Sequence, residues 1–350
     1  MEKKVKYLII GQGLVGTWLA NFLQEKNISF LIINDDNSPC ATKVASGVMN
    51  PVTGRRIVQT WMIDEILPFA VNSYEAFEKK TKTKIITKAP LVLIHPSQQM
   101  KDSYHYRLEH DNKYLKTNNT VQCNSFFHSP FGTGEIDYCY WIDLHHFLAA
   151  GKKQLEQQYI NANFSFTDLQ LATEGIQWKN IFAEKIIFCD GLNALTNPYF
   201  KLLPFAPNKG EALIVEIKGL PTENMYKNNL SIVPWKDHLF WVGSSFEWEY
   251  TSTQPTEAFK QKTIESLKSL LKIPFVVKDH IVGIRPANTE RRPFVGLHSH
   301  HSQIGICNGM GTKGCSLAPY FTHQLMEHME NKAPLNDEAN IERFKHLMSA

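Results

Sequence analysis

The chain has 350 residues, 43% of them hydrophobic and 20% charged, an ordinary globular mix with enough apolar material for one large or two smaller domains. Thirty-seven Lys and Arg against 34 Asp and Glu leave a formal net charge of +3, which argues against a chain built to neutralise nucleic-acid phosphates. No run approaches the ~20 apolar residues of a membrane span, no signal-peptide core is visible, and the six cysteines (Cys40, Cys123, Cys139, Cys189, Cys307, Cys315) include no CxxC pair, so the expectation is a soluble cytoplasmic protein without a disulfide framework or metal site.

The first apolar run, Lys4–Ile10, reads as a buried strand bounded by a glycine. Gly11-Gln12-Gly13-Leu14-Val15-Gly16 follows, a G-x-G-x-x-G that opens a helical stretch through Trp18, Leu19, Phe22 and Leu23. A second strand at Ser29–Ile33 completes a strand–helix–strand unit of about the expected ~30 residues. Gly11 permits the tight turn, Gly13 lets backbone N–H groups approach a pyrophosphate, and Gly16 lets the helix pack on the strand. The positive end of the helix then faces the phosphates. Any tight strand-to-helix turn fits the motif alone; the strands on both sides raise dinucleotide binding well above that reading. Where a ribose-binding acid is usual stands Asn34, followed by Asp35 and Asp36. An Asn still accepts a ribose hydroxyl, and the lack of an arginine in this turn argues against a 2′-phosphate ligand.

Next comes a small-residue loop, Ala45-Ser46-Gly47-Val48-Met49-Asn50-Pro51, able to approach a flat ring closely, although taken alone such a loop is usually a turn. The pattern then predicts a helix over Asp64–Lys80, strands at Lys88–His95 and Thr120–His128, and a helix over Trp141–Gln158. Lys185–Cys189 reads as a short buried strand ending at Asp190-Gly191. Strands follow at Ala212–Ile217, Leu230–Val233 and Leu239–Val242, then an amphipathic helix over Thr256–Leu271. Asp279–Arg285 and Ser302–Cys307 are further strands, and Ser316–Met329 is the last long helix. Nucleotide-type elements come first, strand-rich blocks intervene twice, and nucleotide-type elements return near Lys185 and Ile304. This order predicts two interleaved domains, one formed by 1–84, 141–204 and 281–350, the other by 85–140 and 205–280.

Three of the chain's seven arginines fall within Val282–Gly296. Arg285, at a strand end and fixed by Pro286, suits a bidentate fork for a carboxylate, and a surface arginine fits the spacing equally well. Asn308-Gly309-Met310-Gly311-Thr312-Lys313-Gly314 lies directly before the last helix. Its N–H groups, with the helix dipole behind them, can stabilise negative charge on a reduced ring's carbonyl oxygen. An ordinary glycine loop leading into a helix reads the same. His298, His300 and His301 form a close cluster that reads as a solvated loop sooner than a metal site.

In this order the segments resemble the D-amino-acid oxidase superfamily of FAD-dependent oxidoreductases, which includes glycine oxidase, sarcosine oxidase and D-amino-acid dehydrogenases. The resemblance runs from Lys4 to about Met329 and adds Lys209-Gly210-Glu211, Trp241-Val242-Gly243-Ser244-Ser245-Phe246-Glu247, Gly283-Ile284-Arg285-Pro286 and Leu317-Ala318-Pro319 to the motifs above. It implies an α/β chain in which a Rossmann-type FAD-binding domain is interleaved with a smaller substrate domain on a mixed or antiparallel sheet. FAD would be held non-covalently by Gly11, Gly13, Leu14, Val15, Gly16, Asn34 and Asp35, by Ala45, Ser46, Gly47 and Met49, by Leu169 and Gly191, and by Gly309, Met310, Gly311, Thr312, Lys313 and Gly314. Arg285 would bind the substrate carboxylate, with Lys313 near the flavin edge. The implied reaction is hydride transfer to flavin from the carbon beside the nitrogen of a small amino acid or secondary amine. Imine hydrolysis and reoxidation by oxygen or another acceptor follow. The chain departs from the pattern at Asn34, at Asp190 before Gly191, and at Ser231, where D-amino-acid oxidases present a tyrosine. Cys315 does not match the position of covalent flavin attachment. Two other readings stay open: a same-fold oxidase of a macromolecule such as modified tRNA, suggested by Arg55-Arg56 and Arg291-Arg292, and a non-catalytic flavin-binding protein, which would need Arg285 turned away or a blocked pocket.

Overall fold

The computed structural model describes residues 2–111, 113–117 and 123–348. Its first strand, Lys3–Ile10, pairs in parallel with Phe30–Asn34 on one side and Ile181–Phe188 on the other. Tyr159–Asn161 extends this sheet past Phe30–Asn34, and Ile304–Asn308 extends it past the C-terminal half of Ile181–Phe188, both again in parallel. Parallel strands covered on both faces need apolar residues on both faces, which explains the unbroken run Tyr7–Ile10. Tyr7 and Ile9 belong to one core, Leu8 and Ile10 to another on the opposite face. The first core is centred on Trp18, fully buried, with Tyr74 edge-on at 4.9 Å and Phe147 at 5.1 Å. It joins the helices Leu14–Glu25, Ile63–Thr81, Leu144–Gln154 and Gly314–Asn331. Burying aromatics of this size contributes roughly 1.5–3 kcal/mol each.

The second sheet runs in the order Val276–Arg285, Asn208–Glu216, Phe240–Gly243, Ser231–Pro234, Met225–Lys227, Leu91–Ile94, Thr133–Ile136, Leu115–Lys116. Only the pairing of Met225–Lys227 with Leu91–Ile94 is parallel. Alternation divides its faces. Leu213, Val215, Phe240 and Val242 pack with Leu267 of the helix Glu257–Leu270, while Ala212, Trp241 and Gly243 point to a cavity. The first sheet thus takes strands from 3–34, 159–188 and 294–308, and the second takes them from 91–136 and 208–285. This is the α/β arrangement with interleaved sheets that the element order implied.

Some elements differ from expectation for identifiable reasons. Lys88–His95 is two strands, Ile86–Lys88 and Leu91–Ile94, in different sheets; Pro90 between them has no N–H to continue a ladder. The helix expected over Trp141–Gln158 starts only at Leu144, where Asp143 accepts from the His146 N–H at 3.0 Å, and Tyr140–Ile142 before it is a strand. Thr120–Gln122 lie outside the described residues, and the rest of the strand expected at Thr120–His128 is a helical turn followed by one isolated bridge, Phe127 to Leu271. Val276–Arg285 stays paired with Asn208–Glu216 along its whole length, across position 281. His298 is buried against Tyr199 and Phe200, which pushes its imidazole down to about 4, so it is not part of a solvated loop.

Candidate cofactor and substrate site

Between the sheets lies a cavity of about 1360 Å³. The Gly11–Gly16 turn forms one end of it, and its glycines are there for different reasons. Gly11 sits at φ +99°, and a Cβ there would meet the Cys189 carbonyl oxygen at 2.6 Å. A Cβ on Gly16 would meet the Gly11 oxygen at 1.8 Å. The protein's own packing requires both. Gly13 has an ordinary φ of −78°, and a Cβ there would touch nothing of the protein closer than 3.6 Å. What a side chain at 13 would fill is the cavity itself. Gly13 also caps the helix Leu14–Glu25 without a side chain of its own; the Leu14 N–H donates to Thr42 Oγ1 at 3.2 Å, and with no acid in the first turn the helix's positive end still faces the cavity and favours an anion.

Asn34 and Asp35 line the same end. The Asn34 oxygen accepts from the Gln12 N–H at 2.9 Å, and its amide nitrogen donates to the Tyr159 hydroxyl at 3.0 Å, so the side chain ties the glycine turn to the strand edge. The nearby carboxylate is Asp36. Burial alone would raise its pKa, but Lys152 and Tyr159 bind it and hold it below the ordinary range. Leu14, Val15, Ala45, Ser46, Gly47, Met49, Gly191 and the stretch Met310–Gly314 also face the cavity. The helix Gly314–Asn331 begins at that stretch, again without a side-chain cap or an acid in its first turn. Gly16 and Gly309 stand behind the wall. Gly309, at φ +75°, packs on Phe294 and on Asn288, whose amide nitrogen donates to the Gly309 carbonyl at 2.9 Å. Leu169 is outside the lining: it starts the strand Leu169–Ala172 opposite Trp178, and the preceding Phe164 and Phe166 face the cavity in its place.

At the other end, Arg285 points in over Gly210, whose Cα leaves room that a side chain would take. Its Nη1 donates to the Asn208 oxygen at 2.6 Å and its Nη2 to the Ser244 hydroxyl at 2.7 Å, while Phe246 lies 4.6 Å from the guanidinium. Desolvation pulls its pKa down to about 10. Among the described residues no carboxylate reaches ion-pair distance of it. A half-buried cation held only by neutral acceptors is electrostatically incomplete and favours an incoming anion. Lys313 lies deeper; burial and then Lys227 bring its ammonium down to about 8. Burial pushes the Cys315 thiol up to about 12, so this cavity-lining cysteine stays protonated and unreactive near neutral pH.

Sequence reasoning did not single out Lys227, Trp241 or Phe164 as site residues; Trp241 opens the segment Trp241–Glu247 noted above, whereas no local motif surrounds Lys227 or Phe164. It noted Asp190 only as a departure. That residue also lines the cavity, and burial raises its carboxyl to about 7 despite the Asn308 amide donating to it at 3.1 Å. The unfolded value is about 4, so the fold holds an extra proton between these limits. The contribution to stability is fully present below pH 4 and is lost as pH rises through 7. In the cofactor-free protein, Asp190→Asn is expected to melt above the wild type at pH 8 and level with it at pH 4. Calorimetry showing the same gain at both pH values would contradict this.

The comparisons with known proteins agree with this geometry. Residues 6–327 match the family described as DAO, FAD dependent oxidoreductase. Glycine oxidase of Bacillus subtilis (strain 168) is 27% identical over 147 residues, 40% of this chain and 39% of that one, so the match spans about two fifths of that curated relative. Among solved structures, glycine oxidase from Geobacillus kaustophilus aligns with a TM-score of 0.80 and 14% identity over 98% of each chain. Iminodiacetate oxidase from Chelativorans sp. BNC1 aligns with a TM-score of 0.78 and 17% identity, covering 97% of this chain and 98% of that one. Identities this low establish a shared fold. The family pattern, which runs through both glycine-rich turns and the Arg285 strand, goes further: the chain belongs to the DAO family of FAD-dependent oxidoreductases.

Proposed function

We propose that the chain oxidises the carbon–nitrogen bond of a small amino acid or N-substituted amino acid. The observation that carries this reading is the Arg285 guanidinium, turned into the cavity with neutral partners only. The residues fit FAD: the open space at Gly13 and the helix's positive end suit the pyrophosphate, and Ala45–Met49 with Met310–Gly314 suit the flavin ring. The buried, protonated Cys315 thiol favours non-covalent attachment. When bound, FAD supplies the two-electron acceptor for the hydride that leaves the carbon next to nitrogen.

The chain's residues then have defined tasks. Arg285 takes the substrate carboxylate in a two-pronged grip and fixes which C–H bond faces inward. Asn208 and Ser244 hold the guanidinium in that pose. Trp241, buried and anchored by its indole N–H to the Val44 carbonyl at 3.1 Å, keeps water from one side of the reacting carbon. Lys313 Nζ, with its lowered pKa, is suited to exchange a proton or to face developing negative charge. The imine product takes up water and hydrolyses to a 2-oxo acid and ammonia or an amine.

A small molecule is favoured over a macromolecule because the cavity holds Arg285 with neutral partners, whereas of the arginines that suggested a macromolecule Arg292 is already engaged by Glu338 at 2.7 Å and stacked on Trp61. The test compares amino acids with their primary amides, for example glycine with glycinamide and alanine with alaninamide, by initial rate with a dye acceptor. Acids are expected to outperform amides by at least about 100-fold in kcat/KM, the cost of leaving a buried charge unpaired. Equal rates would remove Arg285 from the role given to it.

A further inference from the structure

The cavity holds a cation that this reading leaves without a task. Lys227 ends the short strand Met225–Lys227 and lines the cavity, and among the described residues no carboxylate pairs with it. Its place follows from the register of the second sheet. Lys227 is opposite Ser231, Ser231 opposite Gly243, and Gly243 opposite Ala212. Directly paired residues project to the same face, and all four line the cavity. They form one row across the sheet: a lysine at its end, then a floor of Ser, Gly and Ala. Arg285 closes over the far side of that floor, its Nη2 bonded to Ser244 beside Gly243. Adjacent strands are ~4.8 Å apart, so the Lys227 backbone lies roughly 10 Å from the Gly243 column, and its side chain shortens that gap. Burial lowers the Lys227 pKa, and its charge in turn lowers that of Lys313. Lys313 sits at the start of the last helix, on the side expected to meet the cofactor, whereas Lys227 stands on the sheet that carries the substrate arginine.

We infer that Lys227 is a specificity-determining residue that binds a second anionic group on the substrate, so that the preferred substrate is an amino acid with a further carboxylate a few atoms from the first. The inference rests on the role given to Arg285 above. The small floor leaves the carbon chain room to lie flat between the two cations. A substrate with one carboxylate fills only the arginine end and leaves the ammonium desolvated without a partner.

The test titrates the FAD-loaded protein with succinate and with propionate, which are not oxidised, and reads Kd from the change in flavin absorbance. Anaerobic bleaching by aspartate, glutamate and alanine runs alongside. The wild type is expected to bind succinate at least about tenfold more tightly than propionate, as one additional charge-assisted contact provides. Lys227→Met should abolish that preference while leaving the Kd for propionate unchanged, and Lys227→Arg should retain it. Equal binding of the two acids by the wild type, or a Lys227→Met variant that weakens both alike, overturns the inference. If alanine bleaches the flavin as readily as aspartate, the inference falls and Arg285 keeps its role. If neither acid perturbs the flavin and no amino acid bleaches it, the amino-acid reading fails as well.

Discussion

Arg285→Ala is expected to lower kcat/KM for carboxylate substrates by about 10²–10³-fold while FAD stays bound. The size follows from what is lost. Removing one partner of a buried, hydrogen-bonded charge pair costs roughly 2–5 kcal/mol, much of it the penalty on the charge left behind. Here the stranded charge would be the substrate carboxylate. The flavin should remain because Arg285 stands at the end of the cavity away from the Gly11–Gly16 turn and, among the described residues, bonds only to Asn208, Ser244 and the Ser245 carbonyl. Arg285→Lys should fall between the wild type and the alanine variant, since it keeps the charge but loses the fork. The amide of the best substrate provides the internal control, and its rate should barely change. Loss of flavin from Arg285→Ala, or an equal loss with acid and amide, would show that the arginine supports structure and does not read the substrate.

Gly13→Val is expected to reduce FAD affinity at least about 100-fold in a chain that still folds, whereas Gly16→Val loses the fold with the flavin. At Gly16 a Cβ would lie 1.8 Å from the Gly11 oxygen, so the strand and helix must separate. At Gly13 the backbone is ordinary and the nearest protein atoms to a Cβ are Thr42 Oγ1 at 3.6 Å and Cys40 Sγ at 3.8 Å. The added side chain there competes with a ligand. The backbone N–H groups of the helix start would lose their close approach to the pyrophosphate. Circular dichroism and the melting temperature of the cofactor-free proteins separate the two cases, and flavin fluorescence on titration gives the affinity. A Gly13→Val protein that retains full flavin would falsify the assignment of this turn.

The strand–helix–strand unit was legible because each of its signals is local: an apolar run long enough to be buried on both faces, then glycines at fixed spacing. Arg285 stood out in the same way, through Pro286 and the end of a strand, although the spacing fitted a surface arginine equally well; the structure turns it into the cavity. Lys227 was not. Its place in the cavity comes from a lateral row, Lys227–Ser231–Gly243–Ala212, whose members meet only once four strands have paired. The helix Gln98–His110 was missed for a different reason: only Tyr104 on it is buried, so there is no apolar stripe for periodicity to find. Leu169 was expected at the cofactor, yet Phe164 and Phe166, a few residues earlier, line the cavity. A single residue in a loop before a hairpin carries no pattern that would distinguish these positions. Asp190 departs from a family pattern of small residues, and only the structure shows that burial there raises its carboxyl.

The measurement that bears most directly on the account is the visible spectrum of the purified protein, recorded anaerobically before and after adding a pool of amino acids and N-methyl amino acids. The expected result is a flavin spectrum that the pool bleaches and that air or an added dye restores, with no bleaching by the matching amines that lack a carboxylate. A flavin spectrum that no member of the pool bleaches contradicts the proposed activity. A colourless protein that cannot be reconstituted with FAD contradicts the assignment of the cavity itself.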